Sequence, residues 1–149
     1  MIDGLDLIII DDEKEVCDVI KETIGTFYTW GDILIFTSID EAFEYCMDCD
    51  TGIKIFILDV FVDQRNGFSF LDDIAEKYPS AKMDTIMISG NADADVVNMC
   101  VASGVNYLLE KPVKPYALQL AVRSILAKYL DFAKRLLNDP SLAESISRI

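Results

Sequence analysis

The chain has 149 residues, 52% of them hydrophobic, and carries 26 acidic against 13 basic side chains for a net charge of −13. That length suits one globular domain with a sizeable core, and so negative a surface repels phosphate backbones and anionic membranes, which argues against nucleic acid as a direct partner. No run approaches the ~20 apolar residues of a membrane span, and Asp3 and Asp6 stand where a signal peptide would be basic, so the chain reads as cytoplasmic.

In chain order, short apolar runs alternate with longer segments of helical period. The first strand is predicted over Leu5–Ile10 and runs into Asp11-Asp12-Glu13, after which a helix is predicted over Glu13–Gly25 with Val16, Val19, Ile20 and Thr23 on one face. A second strand over Ile33–Phe36 leads to a helix over Ile39–Cys49, whose early acids Asp40, Glu41 and Glu44 suit the positive end of its dipole. The third strand, Ile55–Leu58, ends at Asp59 and is followed by a helix over Gly67–Lys77. The fourth, Thr85–Ile88, ends at Ser89-Gly90 before a helix over Ala92–Ser103. The fifth, Tyr107–Leu109, leads to Lys111-Pro112 and a long helix over Pro115–Leu137. Strands nearly continuous in Ile, Leu and Val are those of a parallel sheet covered on both faces. The predicted fold is an α/β, doubly wound, five-stranded parallel sheet with helices on both faces and an extended C-terminal helix.

Four cysteines, Cys17, Cys46, Cys49 and Cys100, are scattered apart from the Cys46–Cys49 pair. With no histidine and no second CxxC, a tetrahedral zinc site lacks ligands.

Ligands of open α/β sheets bind beyond the carboxyl ends of the strands. Here those ends supply Asp11 and Asp12, Asp59, Ser89 and Lys111. An acid after a strand commonly caps the next helix, and Ser89 alone could open the fourth helix, so each residue signifies little singly. Together they fit phosphoryl chemistry. Two or three carboxylates and a carbonyl suffice for Mg²⁺, Asp59 can act as a carboxylate nucleophile toward phosphorus, and Ser89 and Lys111 can stabilise charge on the phosphoryl oxygens. Gly90 leaves backbone room for the group.

Over about residues 3–127 the sequence resembles the receiver domain of two-component response regulators. The resemblance rests on Asp11-Asp12 after the first strand, Leu58-Asp59 with Gly67 eight positions later, Ser89-Gly90, and Lys111-Pro112, in the family's order and spacing. It implies the flavodoxin-like strand order 2-1-3-4-5, and Asp59 as phospho-acceptor, with Ser89 moving onto the phosphate and Lys111 as its cationic partner. It further implies Mg²⁺ held by Asp12 directly, Asp11 mostly through water, Asp59 and the Phe61 carbonyl, and a cis peptide before Pro112. The implied partner is a sensor histidine kinase or phosphotransfer protein, and the implied role is signalling, with no turnover beyond the domain's own phosphorylation and slow autodephosphorylation.

Three features depart from or modulate the pattern. Val62-Asp63 replaces a frequent Met-Pro, and Leu108 stands where the family usually has a switching aromatic, with Tyr107 expected on the other face. Phe61 and Asn91, each two residues after a reacting position, flank the centre and should set the phosphoryl lifetime.

The last helix carries Leu118, Val122, Ile125, Tyr129, Phe132 and Leu136 at heptad-like spacing, continuing past the sheet. Residues 1–127 are therefore expected to form the receiver and 128–149 an extension. Its far end would be covered by a second copy through the fourth and fifth helices, by an output domain, or by a fold-back of Leu142, Ile146 and Ile149. Two rival functions use the same residues. One is a Mg²⁺-dependent phosphohydrolase, which would want an acid where Phe61 stands and a substrate cap. The other is a receiver-like interaction module whose switch is impaired at Leu108.

Overall fold

The computed structural model describes residues 4–49 and 52–148. Five parallel strands form the sheet: β1 (Asp6–Ile10), β2 (Ile33–Phe36), β3 (Lys54–Asp59), β6 (Thr85–Ser89) and β7 (Tyr107–Glu110). Their order is β2-β1-β3-β6-β7, the doubly wound 2-1-3-4-5 arrangement predicted from the sequence. The register sets Ile9 of β1 beside Ile35 of β2 and Ile57 of β3, and Asp59 beside Ile88 of β6.

Alternation along the strands sorts the core into two layers. Leu7, Ile9, Ile55, Ile57, Ile86 and Ile88 pack under α1 (Lys14–Gly25) and α5 (Pro115–Asn138). Ile8, Ile10, Phe56, Leu58 and Met87 face the other way, under α2 (Ile39–Asp48), α3 (Gly67–Ile74) and α4 (Ala94–Ser103). β3 is buried throughout its length. Each fully buried Ile or Leu contributes about 1.5–3 kcal/mol, and truncating Ile57 to Ala should cost about 2–5 kcal/mol because β3 sits at the sheet centre.

Local signals set several boundaries. Asp93 caps α4 by accepting the Val96 N–H, and Gly104 ends it in the left-handed region at φ 79°, with Val105 N–H returning to the Cys100 carbonyl. Pro115 occupies the first turn of α5, where its missing N–H costs nothing. The third helix ends at Ile74, three residues short of the predicted end, and the chain continues as turns through Tyr78, whose hydroxyl donates to the Cys46 carbonyl.

Between β3 and α3 lies a two-stranded hairpin absent from the sequence prediction, β4 (Phe61–Val62) and β5 (Arg65–Asn66). Asp63 and Gln64 turn it with φ of 49° and 67°, the left-handed conformation that two-residue hairpin turns favour. Neither residue is glycine, so the usual turn signal is missing.

The core-facing stripe predicted on the last helix is real but is mostly consumed by the domain. Leu118, Val122 and Ile125 are buried and Tyr129 packs on the same layer, whereas Phe132 is exposed and Leu136 half-buried. A short helix, α6 (Pro140–Ser147), follows with Asp139 as its cap, and Leu142 and Ile146 are half-buried. Ile149 lies outside the described residues. No helix among the described residues is long and apolar enough to cross a membrane.

Candidate functional site

The parallel strands deliver their carboxyl ends to one edge, and there Asp11, Asp59, Ser89 and Lys111 converge. Asp11 follows β1 and is fully buried, its Oδ1 accepting the Glu13 N–H at 2.9 Å. This bond falls short of a helix cap. Glu13 holds the cap position of α1 without a side-chain bond, and neither Asp11 nor Asp12 caps the helix. Asp59 closes β3, nearly buried, with Oδ1 accepting a long 3.4 Å bond from the Phe61 N–H. Ser89 closes β6, also buried.

Lys111 joins these strands. Its Nζ lies 3.0 Å from Asp59 Oδ2 and 2.7 Å from Asp11 Oδ2, and its backbone N–H donates to the Ser89 carbonyl at 2.8 Å. The Lys111–Pro112 bond is cis, as the resemblance implies. The contact to Asp11 Oδ2 has ion-pair distance but not the angles of a hydrogen bond, so this buried oxygen has a charge partner and no directed donor. One ammonium thus serves two buried carboxylates. Burial raises the Asp59 pKa above its ordinary 3.8, the bond from Lys111 pulls it down, the Asp11 charge pushes it up again, and the net direction is upward. Burial disfavours the Lys111 ammonium, but Asp11 and Asp59 more than offset this and its pKa is raised.

Asp12 is exposed, and its Oδ2 accepts the Asp63 N–H from the hairpin turn at 3.0 Å. Carboxylate oxygens of Asp11, Asp12 and Glu13 come within 4.8 Å of one another. With Asp59 nearby through Lys111, the edge holds more carboxylates than cations, all hard oxygen donors. That donor set, with its undonated buried oxygen, fits a divalent cation such as Mg²⁺. Glu13 and the Asp63 N–H are participants that the candidate list drawn from the sequence lacked. Glu13 was legible as the third acid of a run, whereas the Asp63 contact depends on the hairpin.

Ser89 does not face an acceptor on Asp59. Its hydroxyl donates to the Asn91 carbonyl at 2.9 Å and accepts the Asn91 N–H at 3.1 Å. Glu110 braces the same loop by accepting the Ala92 N–H at 3.0 Å. Leu108 packs into the layer under α2–α4 and Tyr107 into the layer under α1 and α5, so the two do lie on opposite faces. A hollow of about 280 Å³ lies beside Lys111 and Pro112, lined also by Val16 and Ile20. A larger one, about 550 Å³, sits away from this chemistry among Ile53, Met83, Tyr129 and Phe132.

Comparison with known families decides the class: the family described as the response regulator receiver domain matches residues 7–123. The chain belongs to this receiver family. Among curated proteins, the receiver is similar to the transcriptional regulatory protein DcuR of Escherichia coli K12, with 26% identity over 108 residues, 72% of this chain and 44% of that protein. The chain therefore spans less than half the length of the curated relatives it matches. Among solved structures, an uncharacterised protein from Neptuniibacter caesariensis is 26% identical with a TM-score of 0.70, covering 83% of this chain and 87% of that one. A CheY-like response regulator receiver domain protein from Methanospirillum hungatei JF-1 gives a TM-score of 0.71 at 18% identity, covering 84% and 95%, a likeness of fold.

Proposed function

We propose that this receiver accepts a phosphoryl group on Asp59 in a Mg²⁺-dependent reaction, donated by a sensor histidine kinase or phosphotransfer protein in the cytoplasm. The observation that carries the reading is the Lys111 ammonium held between Asp59 Oδ2 and Asp11 Oδ2 at the carboxyl edge of the sheet. A carboxylate oxygen of Asp59 attacks phosphorus, the bond from phosphorus to the donor breaks, and the donor leaves with the electron pair. Mg²⁺, when bound by Asp11, Asp12, Asp59 and the Phe61 carbonyl, supplies charge neutralisation at the phosphoryl oxygens. Lys111 moves its ammonium from carboxylate to phosphoryl oxygen as Asp59 becomes an acyl phosphate. Ser89 gives up its bond to Asn91 and donates instead to the phosphoryl group, drawing the loop before α4 inward. Hydrolysis of the acyl phosphate returns Asp59, so the domain is a signalling phospho-acceptor with no other turnover. Residues 1–127 carry this chemistry, and residues 128–149 form an extension through which, with the fourth and fifth helices, copies of the chain self-associate. Nucleic acid is not a direct partner.

The test is labelling by acetyl phosphate with Mg²⁺ and with EDTA. The parent should label only with Mg²⁺, Asp59→Asn should not label, and Lys111→Ala should label slowly. Equal labelling of Asp59→Asn and the parent would sink the assignment.

A second reading, an interaction module with an impaired switch, draws support from the packing of Leu108 in the core where an aromatic would rotate. Beryllofluoride, a phosphoryl mimic, separates the two. Amide shifts in residues 89–93 on binding favour switching, and binding without such shifts favours the module.

A further inference from the structure

The hairpin between β3 and α3 reaches back onto the acidic edge of the sheet. Asp63 and Gln64 turn it at φ of 49° and 67°, and the Asp63 N–H donates to Asp12 Oδ2 at 3.0 Å. A residue other than glycine holds a positive φ only where its surroundings fix it. Two anchors do so here. Val62 is buried in the core layer under α2–α4, and Asn66 caps α3 by accepting the Phe68 N–H at 2.7 Å. The turn is carried between these fixed residues, with the Asp63 amide aimed at Asp12.

We propose that the Asp63 backbone N–H positions Asp12 for the divalent cation: it holds one carboxylate oxygen, Oδ2, and leaves Oδ1 for the ion. This rests on the cation site proposed above, and it gives Asp63 a role that its side chain does not carry.

Charge makes the restraint necessary. Carboxylate oxygens of Asp11, Asp12 and Glu13 lie within 4.8 Å of one another, and like charges this close repel. Asp11 cannot yield, because it is fully buried and its Oδ1 accepts the Glu13 N–H. Asp12 is exposed and, without a donor, would turn outward to water. A charge-assisted bond from a backbone amide opposes that turn. It also removes rotamer freedom before the ion arrives, so less ordering remains to be done on binding. Removing a group that orients a metal ligand commonly weakens the metal by about 10–100-fold, and an exposed bond belongs at the low end of that range.

The donor depends on which residue stands at position 63. Proline, frequent there in the family, has no N–H to give and locks φ at about −65°. Aspartate supplies the amide and, like asparagine, tolerates the left-handed region better than most side chains.

Mg²⁺ titration calorimetry of the full chain and amide exchange followed by NMR test the assignment. Asp63→Gly keeps the N–H and the positive φ, and it should bind Mg²⁺ at least as tightly as the parent. Asp63→Pro should bind about tenfold more weakly. In an Asp12→Ala background the same change to proline should cost nothing further, which separates an effect through Asp12 from displacement of the Phe61 carbonyl. The Asp63 amide should exchange slowly in the parent, with and without Mg²⁺, and fast in Asp12→Ala. The amide spectrum outside residues 60–66 confirms the fold of Asp63→Pro before its affinity is read. Parent-like affinity in Asp63→Pro, a further loss in the Asp12→Ala background, or an Asp63 amide that becomes fast as Mg²⁺ binds would each overturn the proposal while the cation site stands. A parent that binds no Mg²⁺ removes the site and the proposal together.

Discussion

Gly67 leaves no room for a side chain above Asp59. A Cβ there would lie 2.5 Å from the Asp59 carbonyl oxygen and 3.1 Å from Leu58 Cγ, while the Gly67 N–H donates to the Val60 carbonyl at 2.7 Å. The glycine lets the start of α3 rest directly on the end of β3, fixing the backbone from which the Asp59 carboxylate projects. Gly67→Ala should therefore cost about 1–3 kcal/mol as overpacking against backbone. It should also slow acetyl phosphate labelling in protein that is still folded. Urea melts paired with labelling rates check this, and an unchanged rate would show that the carboxylate is positioned from elsewhere.

The upward shift of Asp59 gives a pH signature. A carboxyl whose folded pKa exceeds its unfolded 3.8 contributes stability below about pH 4, and that contribution is lost as pH rises through the folded value. In EDTA the parent should lose stability across that window, and Asp59→Asn should lose less. If Mg²⁺ binds the ionised site as proposed, it should reverse this cost, adding about 2.7 kcal/mol at pH 7 at ~100 times its dissociation constant. Thermal melts of parent and variant at pH 4 and pH 7, with and without Mg²⁺, read both effects. A parent insensitive to Mg²⁺ at pH 7 would count against the proposed cation site.

Asp84 is a fully buried acid away from the candidate site, and it fastens the extension of α5. Its carboxylate accepts from Ser80 Oγ at 2.9 Å and from Lys128 Nζ and Tyr129 Oη, both beyond the last residue that the receiver family matches. Asp84→Ala should cost about 1–3 kcal/mol, since Lys128 can turn to water while Ser80 and Tyr129 lose a buried partner. Tyr129→Phe should cost less, about 0.5–1.5 kcal/mol. Hydrogen exchange should accelerate in Asp84→Ala over residues 128–138 more than in α1. A uniform change across the domain would mean that Asp84 serves the core and not the helix.

The contrast between Asp59 and Asp84 marks what was legible in the sequence. Asp59 ends an unbroken apolar run, and strand periodicity with the doubly wound topology was enough to place it beside Asp11, Ser89 and Lys111. The strands were legible for the same reason, because buried parallel strands are apolar runs, while their order came with the family resemblance. Asp84 precedes its strand, and Lys128 and Tyr129 lie 44 and 45 residues further on, where periodicity marks Tyr129 as core-facing but no local pattern pairs either residue with Asp84. The hairpin was hidden because Asp63 and Gln64 adopt positive φ without glycine. The stripe read from Leu118 to Leu136 marked the face that the sheet covers as far as Tyr129, but period alone does not say where that cover ends, and Phe132 is exposed.

Cysteine reactivity tests the packing at three separate places. Burial pushes the thiols of Cys17 and Cys46 up to about 11, and burial raises that of Cys100 as well. At pH 8 a thiol of pKa about 11 is roughly 0.1% thiolate, and the thiolate is the reactive form. Cys49, at the end of α2, is only half-buried. Native protein should therefore be alkylated by iodoacetamide at Cys49 first, with Cys17, Cys46 and Cys100 reacting at least tenfold more slowly until urea unfolds the chain. Peptide mapping against time gives the order. Early modification of Cys46 would place its thiol in solvent and contradict the packing of α2 on the sheet, and rapid Cys46–Cys49 disulfide formation under mild oxidant would give that pair a redox role.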